Sequence, residues 1–368
     1  MAAISALDFV VNRGNLQQTN FVEKIYSDEL SPNQVLLAVD RFSFTSNNIT
    51  YGILGERMNY WQFFPAQTGY GIVPVWGFAD VIASNHPEVT PGQRYYGYFP
   101  MSTHLMVTVD RLNSMGFVDS SPHRKALPAV YNFYTNTAND PTITPATEAM
   151  VALFRPLFIT SFLIDLHLAE HDFYNATHVL FTSASSKTAQ VLAYLLAHRK
   201  ETQSLPLKLI GLTSKKNVEF VQQLGWYDET ISYHEAEQLN TDEKYVLVDF
   251  AGNHSTQYQL QTLLDDQLLY NCLVGLVDWQ NLKGEKPLPK KGDLFFAPTH
   301  AARRQQEWGI PAFLQKSGAA WQNFVAAIQS DLTIREFLGR EQVQRLYLDM
   351  LKGHVDPQSG NMASLKDQ

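Results

Sequence analysis

The sequence predicts an α/β protein with two domains: a β-rich, barrel-like domain and a doubly wound parallel sheet covered by helices. Its 368 residues match about two domains of ~150 residues each. Before residue 145, short runs rich in Val, Phe and Tyr are separated by Gly, Pro and Asn, which is typical of an all-β domain. After Pro145, strand-like and helix-like segments alternate, and this alternation indicates parallel βαβ units.

Elements of the first domain follow from short apolar runs between turn residues. Examples of the strands predicted from these runs are 35–40, 77–83, 94–98 and 105–109. The segment 120–144 is rich in Pro, Asn and Thr, so we expect a connector that wraps the surface. The tail is predicted to add a helix from residue 341, a turn at 353–358 and a short apolar end at 362–365.

Elements of the second domain alternate between apolar runs and longer amphipathic segments. Its strands are predicted at 177–182, 208–212, 229–231, 245–250 and 270–277. Its helices are predicted at 146–171, 188–200, 217–224, 255–264, 301–306 and 321–328. We expect the strand 270–277 to lie at an edge of the sheet.

Composition narrows the classes of function. Lys and Arg total 28 against 36 Asp and Glu, a net charge of −8, so we expect neither binding to a nucleic-acid backbone nor a nucleic-acid partner. The single cysteine, Cys272, cannot form an internal disulfide or a cysteine-rich zinc site. The longest apolar stretch, 149–169, contains Arg155 and Asp165, so we expect a buried helix, no membrane partner and a cytoplasmic protein.

The strand predicted at 177–182 leads into a loop of small residues and then into a helix. In dinucleotide-binding folds such a loop directs backbone N–H groups and the helix dipole at the pyrophosphate. The usual glycines are absent, and small side chains stand at Ser183, Ser186 and Ala189 instead. The predicted cofactor-binding residues of this loop are Ser183, Ala184, Ser185, Ser186, Lys187 and Thr188. By itself the pattern also fits a strand–turn–helix unit that binds nothing.

The next strand indicates which dinucleotide is bound. NAD sites usually carry an acidic residue after this strand to bind the ribose 2′-hydroxyl, but residues 209–218 contain neither Asp nor Glu. They contain Thr213, Ser214, Lys215 and Lys216, which suit a 2′-phosphate, so NADP(H) is the predicted cofactor. The alternative is a solvated helix terminus with two surface lysines.

A phosphate-binding P-loop is a further alternative for the same segment. Residues 186–188 read Ser-Lys-Thr, as in the end of a Walker A motif. That motif needs glycines at two positions that are occupied in this chain by Phe181 and Ser186. A nucleoside triphosphatase is therefore a weaker hypothesis than a dinucleotide-binding protein.

The motifs SASSKTA (183–189), GLTSKKNVEFVQQLG (211–225) and DFAG (249–252) resemble those of the medium-chain dehydrogenase/reductases, in particular the zinc-free, quinone-reductase-like branch. The whole chain resembles an uncharacterised family of unknown function within that superfamily, through TSNNITYG (45–52) and LFFAPTHAARRQQEWG (294–309). The resemblance implies a chaperonin-10-like β-barrel domain at 1–145 and 330–368. It also implies a Rossmann-like dinucleotide-binding domain at 146–329.

The resemblance also implies roles for individual positions. Asn217 lies near the position at which relatives often carry a lysine that binds the 2′-phosphate. Tyr233 matches a tyrosine that lies near the adenosine phosphate in related reductases. Gly252 directly follows a predicted strand, at a turn beside the cofactor. Trp76 and Gly77 occupy the place of a His-Glu pair in zinc-dependent relatives, so no metal is expected. A homodimer is also implied.

The remaining chemistry is zinc-independent hydride transfer from NADPH to an enone, quinone or similar carbonyl compound, with a small-molecule substrate. The resemblance implies Asn47, Asn48, Tyr51 and Thr160 as the catalytic residues, because zinc-free relatives place an active-site loop at the first three positions and a threonine that faces the nicotinamide at the fourth. The predicted substrate-binding residues are Tyr60, Trp61, Phe64, Tyr131 and Tyr134. Packing of the barrel core is the competing explanation for these aromatic side chains. Because no acid, base or metal stands out, the alternative function is a nucleotide- or ligand-binding module without turnover, such as a sensor or accessory subunit.

Overall fold

The computed structural model describes residues 3–27, 29–275, 288–289, 292–329 and 332–366. The chain divides into two compact units, which we call the first unit (Met1–Leu153 with Leu332–Gln368) and the second unit (Phe154–Asp331). The boundaries expected from the sequence, after residues 145 and 329, lie a few residues earlier.

Strands dominate the chain up to the start of the second unit. In chain order, the strands and helices are β1 (Ala3–Asn12), β2 (Asn15–Ser27), β3 (Gln34–Ser43), α1 (Ser46–Ile53), β4 (Tyr70–Gly71), β5 (Pro74–Ser84), β6 (Arg94–Pro100), β7 (His104–Asn113), β8 (Gly116–Asp119), β9 (Phe133–Asn136) and α2 (Glu148–Glu170). Strands and helices then alternate as β10 (His178–Phe181), α3 (Lys187–Gln203), β11 (Lys208–Thr213), α4 (Val218–Gln223), β12 (Glu229–Ser232), β13 (Tyr245–Asp249), α5 (His254–Leu264), β14 (Leu268–Leu273), β15 (Asp293–Leu294), α6 (Ala297–Trp308), α7 (Ile310–Ile328), β16 (Thr333–Leu338), α8 (Gly339–Leu351) and β17 (Ser359–Ser364).

The first unit contains a closed barrel. Its strands follow the order β3-β5-β6-β9-β8-β7, and β7 pairs back onto β3. The register of β3 against β5 shifts between Leu36 and Leu37 and again between Val39 and Arg41. Such irregularities bend a strand and increase its twist, which helps a sheet to close. Strands β17 and β16 extend the sheet beyond β3, and β2-β1-β4 form a separate three-stranded sheet.

The segment 120–144 does not merely wrap the surface, so that expectation was wrong. Its residues Phe133–Asn136 form β9, which pairs with both β6 and β8 and so completes the barrel. Strand β8 approaches β9 closely at Gly116, where a Cβ would lie 1.9 Å from the carbonyl oxygen of Tyr134. Sequence periodicity missed β9 because a four-residue strand in a turn-rich segment is too short to show alternation.

The second unit contains the predicted doubly wound sheet. Its parallel strands follow the order β12-β11-β10-β13-β14-β15, which is the strand order of dinucleotide-binding folds. The predicted α/β fold class, a barrel plus a Rossmann-like sheet, is therefore confirmed. The prediction that residues 270–277 form an edge strand was wrong, because β15 pairs with β14 on its outer side. Residues 276 and 277 of that prediction lie outside the described part of the chain.

Helix α2 is long and apolar enough to cross a membrane by length and composition, but 67% of its most apolar window is buried. The negative charge of Asp165 inside this helix is neutralised by Arg199, because the Asp165 carboxylate accepts two hydrogen bonds from that guanidinium, at 2.6 and 2.7 Å. Pro156 lacks the N–H that would bond the carbonyl of Ala152. Ser43 Oγ donates to that carbonyl at 2.7 Å instead. These contacts agree with the prediction of a buried helix.

Candidate functional site

The loop between β10 and α3 makes its turn without a glycine. Ser183 has a φ of +50°, a left-handed conformation that favours glycine. The backbone N–H of Ser186 donates to the carbonyl of Ser183 at 2.7 Å, and this bond closes the turn. Ser186 is also the N-cap of α3, since its Oγ accepts from the N–H of Ala189 at 3.3 Å. The first turn of α3 thus begins directly at the loop, where an anion would be stabilised.

Tyr233 closes the same loop from the side of β12. Its hydroxyl accepts a hydrogen bond from the N–H of Ser183 at 2.6 Å. Burial raises the pKa of Tyr233 to about 12, so the phenol keeps its proton at neutral pH. A phenol that accepts this hydrogen bond still has one proton to donate. The structure therefore brings together Tyr233 and Ser183, two of the predicted cofactor-binding residues.

Ser185 connects the loop after β10 with the segment after β11. Its Oγ accepts from Thr213 Oγ1 at 3.2 Å and from Asn217 Nδ2 at 3.1 Å. Its carbonyl accepts from Gln190 Nε2 at 2.7 Å. Sequence reasoning proposed Ser185, Thr213 and Asn217 as separate ligand contacts and did not detect this link. Their hydrogen bonds cross from strand to strand, and no local spacing reveals such a contact.

The segment after β11 combines one buried hydroxyl with two exposed lysines. Lys215 and Lys216 are exposed. Within the described part of the chain, no group forms a hydrogen bond with the buried Oγ of Ser214. A buried hydroxyl without a partner is costly, so this atom marks a place where a ligand group would be favourable.

One acidic residue near this segment was missed because it comes later in the chain. Glu235 lies in the first turn after β12, and its carboxylate accepts from Ser232 Oγ at 2.6 Å and from Ser232 N–H at 3.1 Å. These bonds, with a smaller contribution from the charge of Lys215, lower its pKa. Glu235 is therefore ionised and engaged in capping.

A second loop at the carboxyl edge of the sheet, after β13, is built around Asp249. Its carboxylate accepts from the N–H groups of Ala251 at 3.2 Å and Gly252 at 3.1 Å, and from the hydroxyl of Thr182. Burial raises the pKa of Asp249, against these hydrogen bonds. Gly252 has a φ of +62°, which favours glycine at this position. Asp249 and Thr182 thus fix the turn that carries the predicted cofactor residue Gly252.

The other predicted residues of the second unit are engaged in packing. Ala184 is fully buried and its N–H donates to the carbonyl of Leu212 at 2.9 Å. Lys187 is buried with its Nζ 5.9 Å from the ring centroid of Phe154, and the carbonyl of Thr188 accepts from Ser161 Oγ at 2.9 Å. Thr160 donates from Oγ1 to the carbonyl of Pro156 at 3.3 Å, a bond within one helix turn.

Two of the predicted catalytic residues of the first unit have their polar groups in use. Asn48 Oδ1 accepts from the N–H of Thr45 at 2.7 Å, and its Nδ2 donates to the carbonyl of Pro74 at 3.0 Å. The hydroxyl of Tyr51 accepts from Trp76 Nε1 at 3.3 Å. Burial raises the pKa of Tyr51 above its ordinary value, while hydrogen bonds from Trp76 and Asn47 lower it. Asn47 is half-buried beside this phenol.

Aromatic side chains of the first unit form a cluster that we call the ring cluster. Its members contact one another with ring centroids 4.6–6.5 Å apart, a usual range for aromatic pairs; they are Tyr51, Tyr60, Phe63, Phe64, Trp76, Tyr98 and Tyr131. The hydroxyls of Tyr60 and Tyr131 lie 3.4 Å apart. The structure thus brings Tyr51 together with three of the predicted substrate-binding residues, Tyr60, Phe64 and Tyr131.

Trp61 and Tyr134 lie outside the ring cluster. Trp61 packs against Gly55 and Gly71, where an added Cβ would lie 2.1 and 2.3 Å from its ring. Tyr134 is fully buried in the barrel. Its hydroxyl accepts from Arg124 Nη1 at 2.7 Å and donates to the carbonyl of Tyr98 at 2.8 Å. Trp61 therefore packs against the segment after α1 and against β4, and Tyr134 packs inside the barrel. Their role in substrate binding stays a prediction.

Arg124 was not singled out from the sequence, yet it is a fully buried cation. It forms an ion pair with Asp119 at 3.0 Å and donates to Asn132 Oδ1 at 2.9 Å and to the carbonyl of Tyr131 at 2.6 Å. Its surroundings raise its pKa further, although burial alone would lower it. Arg124 thus joins β8 to the segment that carries Tyr131 and Tyr134.

Among the described residues, no group of three or more His, Cys, Asp and Glu side chains is arranged to hold a metal ion. Cys272 is fully buried in β14. Burial raises the pKa of its thiol, with smaller contributions from Asp249 and Asp293. A thiol with a raised pKa is a poor nucleophile, which agrees with an inert core cysteine.

Solved structures with a similar fold cover nearly the whole chain. CurA from Vibrio vulnificus, in complex with NADPH, is 13% identical with a TM-score of 0.60, over 98% of this chain and 100% of that chain. A Mesorhizobium loti protein described as an NADPH:quinone reductase is 10% identical with a TM-score of 0.58, over 98% of each chain. TarJ from S. aureus, in complex with NADPH, is 9% identical with a TM-score of 0.55, over 98% and 99%.

At these identities the likeness establishes the fold, and it is the medium-chain dehydrogenase/reductase fold that the sequence motifs predicted. No curated protein matches the sequence. The sequence profile of a family described as a protein of unknown function, DUF2855, matches residues 42–356. That match spans most of both units, so the chain belongs to the DUF2855 family.

Proposed function

We propose that this protein is an NADP(H)-binding oxidoreductase. The observation that carries the proposal is the buried hydroxyl of Ser214, which has no partner among the described residues, beside the exposed Lys215 and Lys216. A 2′-phosphate would give that hydroxyl an acceptor and would be attracted by both ammonium groups. The NADPH present in the structures of CurA and TarJ supports the same choice of cofactor.

The residues of the second unit would hold a dinucleotide at its two anionic groups, the pyrophosphate and the 2′-phosphate. The pyrophosphate would be held by the N–H groups of the first turn of α3 and by the phenolic proton of Tyr233. The 2′-phosphate would be held by Ser214 and Lys215. The turn at Gly252, fixed by Asp249, would accept a close approach of the ligand because it carries no side chain.

The proposed reaction is reduction of an enone, a quinone or a similar carbonyl compound, and the bound cofactor would supply the hydride. The protein's part is to orient the acceptor, exclude water and stabilise the developing oxyanion. Because the amide oxygen and the amide nitrogen of Asn48 are both already bonded, we propose Asn47 and Tyr51 as the hydrogen-bond donors. The ring cluster would supply the wall for a planar substrate. Zinc independence, a homodimer and a cytoplasmic location belong to the same proposal.

A nucleotide-binding module without turnover is the second candidate, and one observation favours it. The phenols of the ring cluster are buried, and those of Tyr51, Tyr60 and Tyr131 already contact other side chains. A site for a substrate usually leaves a few polar groups directed into a cavity. On this reading the protein would bind NADP(H) as a sensor or accessory subunit.

The first experiment measures binding of NADPH and NADH by tryptophan fluorescence and by the shift in melting temperature. We expect NADPH to bind more tightly than NADH. The double variant Lys215→Ala/Lys216→Ala should lose about tenfold or more in NADPH affinity, with little change for NADH. Lys352→Ala is the matched control, because Lys352 is an exposed lysine of the first unit. Failure of both dinucleotides to bind at millimolar concentration would refute the proposal.

The second experiment separates the two candidate functions. NADPH oxidation is followed by its absorbance with a panel of enones, quinones and aldehydes. Turnover with any acceptor, reduced in a Tyr51→Phe variant that still binds NADPH, supports the oxidoreductase. Tight NADPH binding without oxidation across the whole panel supports the binding module.

A further inference from the structure

We infer that Ser185 is a positioning residue that fixes the spacing between the two phosphate-binding segments of the second unit. The inference rests on the proposed NADP(H) site and goes beyond it. It states that one hydroxyl group, that of Ser185, fits the distance between the two phosphate-binding segments to an adenosine that carries two phosphates. Ser185 would not need to contact the ligand. It would act through the segment after β11.

Both ends of that segment are bonded to the same atom. Thr213 precedes the Ser214–Lys216 stretch and Asn217 follows it, and both donate to Ser185 Oγ, at 3.2 and 3.1 Å. Thr213 is 1% exposed and Ser185 is 7% exposed, so little water competes for these bonds. The three residues that face the proposed 2′-phosphate are thus held at both ends.

The other side of the link is the beginning of α3. The carbonyl of Ser185 accepts from Gln190 Nε2 at 2.7 Å, and Gln190 is 1% exposed within α3. The next residue, Ser186, is the N-cap of the helix. Ser185 therefore connects the segment proposed for the 2′-phosphate with the helix terminus proposed for the 5′-phosphate: its hydroxyl is bonded to the first and its carbonyl to the second.

This arrangement matters most for a ligand that uses both sites at once. When one phosphate is bound, the second binds at an effective concentration that depends on how well the distance between the sites is fixed. A ligand with a single phosphate gains nothing from a fixed distance. Ser185 should therefore favour adenosine 2′,5′-bisphosphate and leave 2′-AMP and 5′-AMP almost unaffected.

The test compares these three ligands by calorimetric or NMR titration of the full-length protein and of Ser185→Ala. We expect Ser185→Ala to weaken the bisphosphate about fivefold or more while each monophosphate changes by less than about twofold. Ser185→Thr, which keeps the hydroxyl, should restore much of the bisphosphate affinity. Equal weakening of all three ligands would overturn the inference, because it would indicate a general loss of structure. Equal weakening of the bisphosphate and of one monophosphate would also overturn it, because it would indicate a direct contact with that phosphate.

Asn217→Ala supplies a second variant whose side chain is only half-buried. It removes one of the two tethers, so it should show a smaller loss that is confined to the bisphosphate. In the double variant with Ser185→Ala the losses should not add, because both changes break the same bond. Additive losses would contradict the inference. If the unmodified protein binds none of the three ligands, the proposed function fails and the inference falls with it, whereas binding with unchanged ratios in Ser185→Ala overturns the inference alone.

The matched comparison is Ser186→Ala in the same loop. Ser186 caps α3 and has no bond to the segment after β11 among its described contacts. Its loss should weaken 5′-AMP and the bisphosphate by the same factor and leave 2′-AMP unchanged. A selective loss of the bisphosphate in Ser186→Ala as well would show that the effect is not specific to Ser185, and the inference would fail.

Discussion

Parts of the ring cluster of the first unit and of the loops after β10 and β11 in the second unit were predicted as parts of a site, but they differ in what surrounds their polar groups. In the ring cluster the side chains pack against one another, and the hydroxyls of Tyr60 and Tyr131 face each other. In the loops, hydroxyl groups connect separate segments, and Ser214 keeps a hydroxyl without a described partner beside exposed lysines. Rings gain from mutual burial, whereas short polar side chains gain only when they find a partner.

This difference teaches that an aromatic motif and a polar motif predict function with different reliability. An aromatic side chain is stable when buried in a hydrophobic core, so its presence does not require a ligand. A buried hydroxyl without a partner is unfavourable in the protein alone. Both regions contain one: that of Tyr98 lies among packed rings, whereas that of Ser214 lies beside two exposed lysines. Four experiments test the comparison, in order of decreasing effect.

The largest effect is expected at the base of the ring cluster, where Arg124 holds the segment of Tyr131. Arg124→Ala should lower the free energy of unfolding by about 3–5 kcal/mol, because it leaves the buried carboxylate of Asp119 without its counter-charge. Urea denaturation of the full chain measures this loss. Arg340→Ala is the control, since Arg340 is half exposed and 3.9 Å from Glu23, and it should change stability by less than about 1 kcal/mol. Equal losses in both variants would show that the barrel does not depend on Arg124.

Two tyrosines of the barrel should respond in opposite ways to loss of the hydroxyl. Tyr134→Phe removes a group bonded to Arg124 and to the carbonyl of Tyr98, so it should cost about 1–3 kcal/mol. Tyr98→Phe removes a buried hydroxyl that has no partner among the described residues, so stability should stay the same or rise slightly. A large loss in Tyr98→Phe would mean that this phenol has a role that packing does not explain.

A second group of packed rings, in the second unit, makes stability depend on pH. The hydroxyls of Tyr174 and Tyr270 lie 2.9 and 3.2 Å from His167 Nε2. Burial, with the charges of His171 and His300, lowers the pKa of His167 to about 4. Between pH ~6.5 and ~4 the unfolded chain binds a proton that the folded chain excludes, so stability falls as the pH falls.

For this half-buried side chain the loss should reach about 1–2 kcal/mol. His167→Phe removes the titrating group, so its denaturation midpoint should fall less between pH 7 and pH 4.5. His354→Phe is the matched control, because it makes the same substitution at an exposed histidine. An identical profile for His167→Phe and the parent protein would contradict the assignment.

The smallest effect on stability and the most selective effect on binding are expected at Ser214. Ser214→Ala should leave the free energy of unfolding unchanged or slightly higher, because the lost hydroxyl has no partner in the described structure. It should weaken NADPH by about three- to tenfold and NADH by less than about twofold. Equal affinity for NADPH before and after the change would show that this hydroxyl is not a ligand contact.

Much of the fold was readable because its signals are local and repeated. The alternation of strands and helices after Pro145 predicted the parallel sheet, and the loop at 183–189 predicted where the first strand meets its helix. Strand β9 and the two-residue β15 were missed, because their stability comes from neighbouring strands and not from their own sequence. The prediction that residues 270–277 form an edge strand was wrong for the same reason, because β15, which pairs with β14, was not detected.

For the candidate site, the residue types were predictable and their partners were not. The absence of Asp and Glu from 209–218 is a sequence fact, and it pointed to NADP(H) before any contact was known. That Asn48 is engaged in capping, that Trp61 packs against Gly55 and Gly71, and that Glu235 approaches the segment after β11 could not be inferred. Each depends on atoms far apart in the chain or on the direction of a side chain.

The sequence by itself determined the two-domain α/β class, the family and the chemistry available at each position, because composition, periodicity and motifs are properties of neighbouring residues. Only the tertiary structure decided which polar groups are satisfied and which have no partner among the described residues. Ser185 and Ser214 follow adjacent strands in the same kind of sequence, yet one joins two segments and the other keeps a buried hydroxyl with no described partner. The physical reason is that a hydrogen bond needs its partner within about 3 Å, and folding alone sets that distance.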